Sequence, residues 1–474
     1  MTLPSNFVVR LNAQTAVIDN GTALIGGSPT RYVRLSAAAQ KALQYREVSA
    51  STSVGGQLAD RLLDLGMADP VLESLESLDT EYTIVVPVRD RAASLERLLT
   101  SVVESVGAST SDATGSQPRI VVVDDASINP EETARVARAF GAEVVALETN
   151  LGPAGARNTG LALVNTEFVV FLDSDLVINE ATIPTLLKHF ADPRVALVAP
   201  RIESLTRSTS WIARYEETNS SLDLGATASA VRPRSKMSWV SSSVLAARTA
   251  TLGHGFDPNM RIAEDVDLVW RLSKQGWRIR YEPSAAAHHE HRADFSSWFA
   301  RRHQYGTGAV PLAKRHPEAI APAILAPWGI GVMLALLVQR KWSIPLALGI
   351  AAWAAIQGAG RLGSAQDALS LSARLTARGV GSAYTQTSAL VLKHWWPFTL
   401  VGCLLSRRIR RATLILALAD VGLDFVRKKP RLDPVRFGVA KRLDDIAYGS
   451  GVWLASLRAG TFAALKPEVT RPEK

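Results

Sequence analysis

The chain has 474 residues, with 53 Lys and Arg against 44 Asp and Glu, a net charge of +9. Apolar residues make up 47%, which excludes a disordered chain, and charged residues 20%, which is low for a wholly soluble protein. The single cysteine, Cys403, excludes an intramolecular disulfide and fits a reducing cytoplasm; the opening MTLPSNFVVRLNAQ lacks the apolar stretch of a signal peptide.

Residues from about 6 to 75 form a first unit. Short strands are broken by the turn signals Asn20-Gly21 and Gly26-Gly27. Ser36 is an N-cap candidate for the helix AAAQKAL, and a second helix, GQLADRLLDLGMADP, stops at Gly66 and Pro70. Strands and helices in a unit this small suit a winged-helix-like module or an N-terminal elaboration of the next domain.

From Tyr82 strands and helices alternate. YTIVVPVRD reads as a strand, Ala93–Val106 as an amphipathic helix, and RIVVVDDAS as a second strand ending in acids. Pro130–Gly141 has Pro early and Gly late, as helices do. EVVALET is a third strand, and NLGPAGARNTGLALV a glycine-bearing loop entering a helix. The fourth strand, FVVFLDSDLVI (Phe168–Ile178), delivers Asp173 and Asp175 at its end. Two hard carboxylates there suit Mg²⁺ or Mn²⁺ holding a diphosphate. This alternation implies βαβ units and a mainly parallel sheet flanked by helices.

A helix over Ile183–Phe190 and a strand VALVAP follow. SWIARYEETNSSLDLG and RPRSK lack clear periodicity and read as the acceptor-facing region. SWVSSSVLAAR, GFDPNM, EDVDLVWRLSKQG and WRIRYEP then give strand, turn, helix and strand. The helix Ala263–Gln275 buries Val266, Leu268, Val269 and Leu272 and presents Glu264 and Asp265 in its first turn.

Beyond Ala319 the chain is apolar. Ala319–Val338 carries no charge and is long enough to cross a bilayer; Trp342–Gly360 is a second such run, and two more lie around Ser388–Leu405 and Ala412–Val426. Arginine and lysine cluster beside these runs, which points to anionic membrane lipid as a partner and away from nucleic acid. The first two runs are joined by Gln339-Arg340-Lys341, and a basic turn opposes placement outside the cell. Spanning helices, a re-entrant hairpin and interfacial helices all remain open.

TIVVPVRD, VVVDDAS, GPAGARNTG, FLDSD and GFDPNMRIAEDVDLVWRL, in this order, resemble the successive signatures of the family 2 glycosyltransferases of GT-A fold. The resemblance covers roughly Tyr82 to Ala309. It implies a GT-A α/β domain and inverting sugar transfer from a nucleotide diphosphate donor. Asp124 or Asp125 would hold the base, Asp173 and Asp175 would form a metal-binding DxD, and Asp265 would be the catalytic base. Pro87, Arg89, Gly152, Arg157, Asn158 and Ser174 would complete the donor side; Glu264, Asp223 and Trp270 are acceptor-side candidates. His289 of His288-His289-Glu290-His291 would complete the metal shell, with His291 second; the bland alternative is a solvated polar loop. The QxxRW signature of processive synthases is absent, and Arg301-Arg302-His303-Gln304-Tyr305 stands roughly there.

GGSPTRYVRL, SSLDLG, RRHQYGTGAVPLAKRHP, KRLDDIAYGSGVW and ALKP resemble the mycofactocin-system glycosyltransferases over nearly the whole chain. That implies glucose transfer from UDP-glucose onto a peptide-derived redox cofactor, building a β-1,4-linked glucose chain. The first unit is also similar to peptide-binding winged-helix domains. The expected organisation is a winged-helix-like unit over 1–78, a GT-A domain over 79–310 and a membrane-associated helical region over 311–474. The expected location is the cell membrane, with the catalytic domain facing the cytoplasm. The rivals are another family 2 activity, such as a rhamnosyltransferase of cell-wall or lipid-linked glycans, and a non-catalytic membrane-anchored binding module.

Overall fold

The computed structural model describes residues 2–76, 78, 80–109, 117–205, 210–290, 294–362 and 368–470. It divides into two compact units, one of residues 1–207 and 219–291 and one of 208–218 and 292–474.

The first unit opens with β1 (Val8–Leu11), β2 (Ala16–Ile18), β3 (Ala23–Gly26), β4 (Arg31–Arg34), α1 (Ala37–Ala42), β5 (Glu47–Ser49), α2 (Ser53–Leu65) and β6 (Ala68–Pro70). They make two small antiparallel sheets, in the orders β5-β1-β6 and β2-β3-β4. The expected cap is present: Ser36 Oγ accepts from the Ala39 amide at 3.2 Å. Gly66 ends α2 in the left-handed region at φ +63°, where glycine avoids the Cβ clash. Phe7, Val9, Leu24, Val48, Leu62 and Met67 give this segment its own buried core.

Next come β7 (Tyr82–Val88), α3 (Ala92–Ser109), β8 (Arg119–Asp124), α4 (Pro130–Ala139), β9 (Glu143–Ala146), α5 (Gly152–Leu161), β10 (Phe168–Leu172), β11 (Leu176–Ile178), α6 (Thr182–Lys188) and β12 (Val195–Ser204). Then follow α7 (Trp211–Asn219), most of which belongs to the second unit, and β13 (Ser229–Ala230), β14 (Val244–Arg248), α8 (Glu264–Lys274) and β15 (Arg278–His289). The main sheet runs β11-β15-β12-β14-β10-β7-β8-β9, with β13 paired to β15. Its β10-β7-β8-β9 half is parallel, as the alternating pattern expects. β14 enters antiparallel between β10 and β12, which makes the other half mixed.

The two faces of the sheet are read directly from strand alternation. Ile84, Val86 and Val122 pack with Leu95, Leu98 and Val102 of α3. Val121 and Val123 point the other way, toward Ala156 of α5. α5 lies so close that a Cβ on Gly160 would fall 2.3 Å from Val85 Cγ1.

Two segments differ from the sequence reading. α7 is helical where no periodicity was evident, with Ile212 and Tyr215 buried one turn apart. β15 continues through Ser284–His289 beside β12, across a register shift, so His288 and His289 end a strand and do not sit in a free polar loop.

The second unit contains α9 (Phe295–Thr307), α10 (Ala309–Arg315), β16 (Ile324–Leu325), α11 (Pro327–Leu337), α12 (Ser343–Leu362), α13 (Ala368–Ala389), α14 (Trp396–Leu405), α15 (Arg407–Lys428), α16 (Pro434–Ala459) and β17 (Glu468–Val469). α7 joins it: Glu216 accepts from Trp298 Nε1 at 2.8 Å and pairs with Arg302, and Tyr215 donates to Asp444 at 3.0 Å. The run from Ala319 is not one long helix. Residues 319–326 are non-helical, β16 pairs with β17, and α11 has only 11 residues. Pro322 and Pro327 account for the break, since proline lacks an N–H and biases its predecessor away from helix. The second apolar run is helical as expected: α12 has 20 residues, and among the described residues it is the one straight helix long and apolar enough to cross a membrane.

Candidate active site

Parallel neighbours β7, β8 and β10 bring their carboxyl ends together, which is where ligands bind in open α/β sheets. Pro87 lies within β7, and Arg89 follows it, half-exposed and 3.5 Å from Asp90.

Asp124 ends β8 and Asp125 follows it; both are buried. Asp125 is fully engaged, accepting from the amides of Leu151 at 2.6 Å and Gly152 at 2.9 Å. It therefore holds the start of α5, where Gly152 takes φ +79°. Asp124 accepts from the Ser127 amide at 2.8 Å through Oδ1, while its buried Oδ2 has no partner among the described residues. An orphaned buried acceptor is costly and marks a place for a donor group.

Arg157, on α5, is almost wholly buried and joins two acids. One guanidinium nitrogen reaches Asp173 at 2.6 Å and the other Glu264 at 3.0 Å. Burial works against its charge, but Asp173 and Glu264 outweigh that and hold its pKa above the ordinary value. Asn158 is engaged with the GFDP turn: its Nδ2 donates to the Phe256 carbonyl at 2.7 Å and its Oδ1 accepts from the Phe256 amide at 2.8 Å.

Asp173 sits past the end of β10, its amide bonded to the Ser243 carbonyl at 2.8 Å. Ser174 is buried. Asp175 faces Arg91 and His289, the latter's Nε2 at 3.4 Å. Burial pushes the Asp175 carboxyl up, but the His289 hydrogen bond and the charges of His289 and Arg91 prevail and hold it far below the carboxylate range. His289 is brought there by β15, which pairs it with Leu176 of β11. A carboxylate and an imidazole side by side fit a divalent ion as two protein ligands. Among the described residues no group of three His, Cys, Asp or Glu side chains is arranged to hold one. His291 lies outside the described residues.

Glu264 and Asp265 open α8, after Ala263 in the left-handed region at φ +64°. Burial pushes the Glu264 carboxyl up to about 7, and Asp265 pushes the same way against Arg157. Burial also raises Asp265; amide bonds from Val266 at 2.8 Å and Ser242 at 3.4 Å oppose it, as does Arg157. Asp223 is bound by Arg201 through two 2.9 Å bonds. Trp270 is buried, with its Nε1 donating to the Ser238 carbonyl at 2.7 Å, so its ring packs α8 and offers no face to a sugar.

The geometry thus links Arg157, Asp173 and Glu264 in one group and Asp175, His289 and Arg91 in another. Ser242 and Ser243 connect Asp265 and Asp173 through their backbones. Sequence reasoning missed Arg91. Its signal was its place just beyond β7, but only the strand order reveals that β7 and β10 are neighbours.

The glycosyl transferase family 2 model matches residues 83–238, and the glycosyl transferase family group 2 model matches residues 168–419. A pre-mycofactocin glycosyltransferase of Mycobacterium tuberculosis is 38% identical over 477 residues, covering 98% of each chain. A poly-beta-1,6-N-acetyl-D-glucosamine synthase of Staphylococcus aureus is 26% identical over 145 residues, 30% of this chain and 34% of that one. Among solved structures, a mannosyltransferase from Pyrobaculum calidifontis in complex with GDP-Man and Mn²⁺ aligns with a TM-score of 0.38 and 20% identity, over 74% of this chain and 87% of that one.

Proposed function

The chain belongs to the family 2 glycosyltransferases, with their GT-A α/β fold, and we propose that it moves glucose from UDP-glucose onto a peptide-derived redox cofactor, mycofactocin, building a β-1,4-linked glucose chain. Glycosyl transfer follows from the family. The acceptor is read from the name of the 38% identical relative, which this chain matches along 98% of its length.

The observation that carries the donor reading is the buried, unpartnered Asp124 Oδ2 at the carboxyl end of β8. It suits the ring N–H of a uracil. Pro87, Arg89 and the backbone at Gly152 complete the donor side, and Arg157 holds Asp173 through its 2.6 Å bond. Asp175 and His289 would hold Mg²⁺ or Mn²⁺, which when bound neutralises charge growing on the leaving diphosphate. Arg91, already against Asp175, adds a cation to the same place.

Asp265 is the base in this reading. A carboxyl raised above its ordinary pKa is better matched to taking a proton at neutral pH. Removal of the acceptor hydroxyl proton opposite the leaving group gives inversion. Glu264 and Asp223 remain on the acceptor side, Glu264 as the partner of Arg157.

The expected location is the cell membrane, with the catalytic domain on the cytoplasmic side where nucleotide sugars are made. The support is α12 together with the exposed apolar side chains of the second unit. In this reading the chain is organised as a winged-helix-like unit over 1–78, a GT-A domain over 79–310 and a membrane-associated helical region over 311–474.

The test is a donor screen. Purified protein is given the cofactor precursor with UDP-glucose, GDP-mannose or dTDP-rhamnose, with and without Mn²⁺, and products are read by mass. Stepwise hexose additions from UDP-glucose alone support the reading. Transfer only from dTDP-rhamnose would move the chain to the rival activity.

A further inference from the structure

We infer that the second unit docks in one leaflet of an anionic phospholipid bilayer, through a basic cluster made by two helix turns tied together, and does not cross the membrane. The inference rests on the membrane location proposed above and specifies how it is achieved.

The two turns are those between α11 and α12 and between α14 and α15. Gln339 joins them: its Nε2 donates to the Arg408 carbonyl at 3.2 Å, and its Oε1 accepts from Arg411. Arg340, Lys341, Arg407, Arg408, Arg410 and Arg411 are thereby gathered at one place, all exposed. None of the six has an ion-pair partner recorded among the described residues. The sequence around them is equally one-sided: between Ala319 and Ala419 there are ten Lys and Arg and a single acid, Asp367. Phosphate headgroups of an anionic leaflet complement such a surface.

Exposed apolar side chains adjoin it on the same helices. They include Trp342, Ile344 and Leu348 at the start of α12, Leu404 and Leu405 at the end of α14, and Ile409 on α15. Large aromatic and aliphatic side chains flanked by Arg and Lys are the make-up of a segment lying at headgroup level.

Two observations oppose crossing. First, β16 pairs with β17, so the chain enters and leaves the apolar region on the same side and any crossings must be even in number. α12 is the one straight helix that qualifies among the described residues, so a return crossing would fall to the pair Ala368–His394 with Trp396–Leu405, which is bent by 85° and carries Arg374, Arg378 and Lys393. Second, the tied turns would reach the far side only if α11 spanned. Its 11 residues reach about 16 Å, against a hydrocarbon core of about 30 Å. A hairpin stopping midway would bury six cations in hydrocarbon, which is prohibitive. Lying in the plane of one leaflet satisfies the length, the pairing and the charge together.

The experiment adds full-length protein to preformed vesicles of phosphatidylcholine alone or of equimolar phosphatidylcholine and phosphatidylglycerol. Sedimentation should show binding to the anionic vesicles that weakens in high salt. R407Q/R408Q/R410Q/R411Q should lower that binding at least about tenfold, while its sugar transfer in detergent matches the parent protein. In a Cys403→Ser background, G360C, at the far end of α12 from the basic turn, should react with a membrane-impermeant maleimide while vesicles stay intact. Equal binding to neutral vesicles, unchanged binding by the four-fold variant, or G360C protected until lysis would each overturn one-leaflet docking. No binding to either vesicle would overturn the membrane location itself, and leaves the transferase reading to the detergent assay.

Discussion

Asp125 accepts two amide bonds, whereas the neighbouring Asp124 keeps one oxygen unpartnered. Sequence could name the pair but not divide the work, because the division depends on where α5 begins in space. The same holds for Arg157. The resemblance of GPAGARNTG implies a donor-side residue; the fold clamps Arg157 between Asp173 and Glu264. Removing it should leave the buried Glu264 carboxyl and the partly exposed Asp173 without their shared cation. Arg157→Met should therefore cost about 3–5 kcal/mol of stability and reduce donor affinity as well. A melting temperature equal to wild type would refute the clamp. Asp265→Asn should differ: donor affinity by calorimetry stays near normal, while turnover falls by about 10²–10⁴-fold. Near-normal turnover would remove Asp265 from the mechanism. Glu264 gives a pH signature. Its folded carboxyl titrates at about 7 against an ordinary 4.5. The folded state thus binds this proton more tightly, so the contribution to stability is full below pH 4.5 and is lost as pH rises through about 7. Glu264→Gln should flatten that stretch of the stability profile, and parallel profiles for the two proteins would show an ordinary carboxyl.

Elements with strong periodicity and clear caps were legible: α2 with Gly66, α4 with Pro130, β7, β8 and β10 with their unbroken apolar runs. Those set by partners were not. α7 is held by Trp298, Arg302 and Asp444, all distant in sequence. β15 extends through Ser284-Ala285-Ala286-Ala287 only because β12 lies alongside. The contact of α5 with β7 is of the same kind, since only the fold shows why position 160 lacks a side chain. Gly160→Ala would drive its Cβ to 2.3 Å from Val85 Cγ1. Overpacking of this sort costs about 1–3 kcal/mol. Thermal melts should show the loss, and Val85→Ala in the same chain should restore part of it. Additive losses in the double variant would mean the two positions do not meet.

At the scale of the whole molecule, the N-terminal segment was legible as strands and helices with a core, while its attachment to the catalytic sheet was not. That attachment is ionic and lies wholly within the first unit. Asp60 and Asp64, one turn apart on α2, face Arg194 and Arg278; Arg278 also reaches Asp192 at 2.7 Å, and Asp69 pairs with Arg280. The pairs differ in what their loss leaves behind. Asp60 is about a third exposed, and Arg278 keeps Asp64 and Asp192 without it. Asp60→Asn should thus cost no more than about 1 kcal/mol. Arg280 is 3% exposed, and Asp69 is the one acid recorded as its ion-pair partner among the described residues. Asp69→Ala would strand a buried guanidinium, a loss of about 3–5 kcal/mol. Arg280 and His289 lie on the same strand, β15, so weakening at one end is expected to reach the end where His289 is proposed to help hold the metal. Asp69→Ala should therefore lower the melting temperature and donor turnover together, and Asp69→Ala/Arg280→Met should recover most of the melting temperature by removing the stranded charge. The opposite ranking, with Asp60→Asn more damaging than Asp69→Ala, would show that the exposed pairs on α2, and not the buried Arg280, hold the N-terminal segment in place.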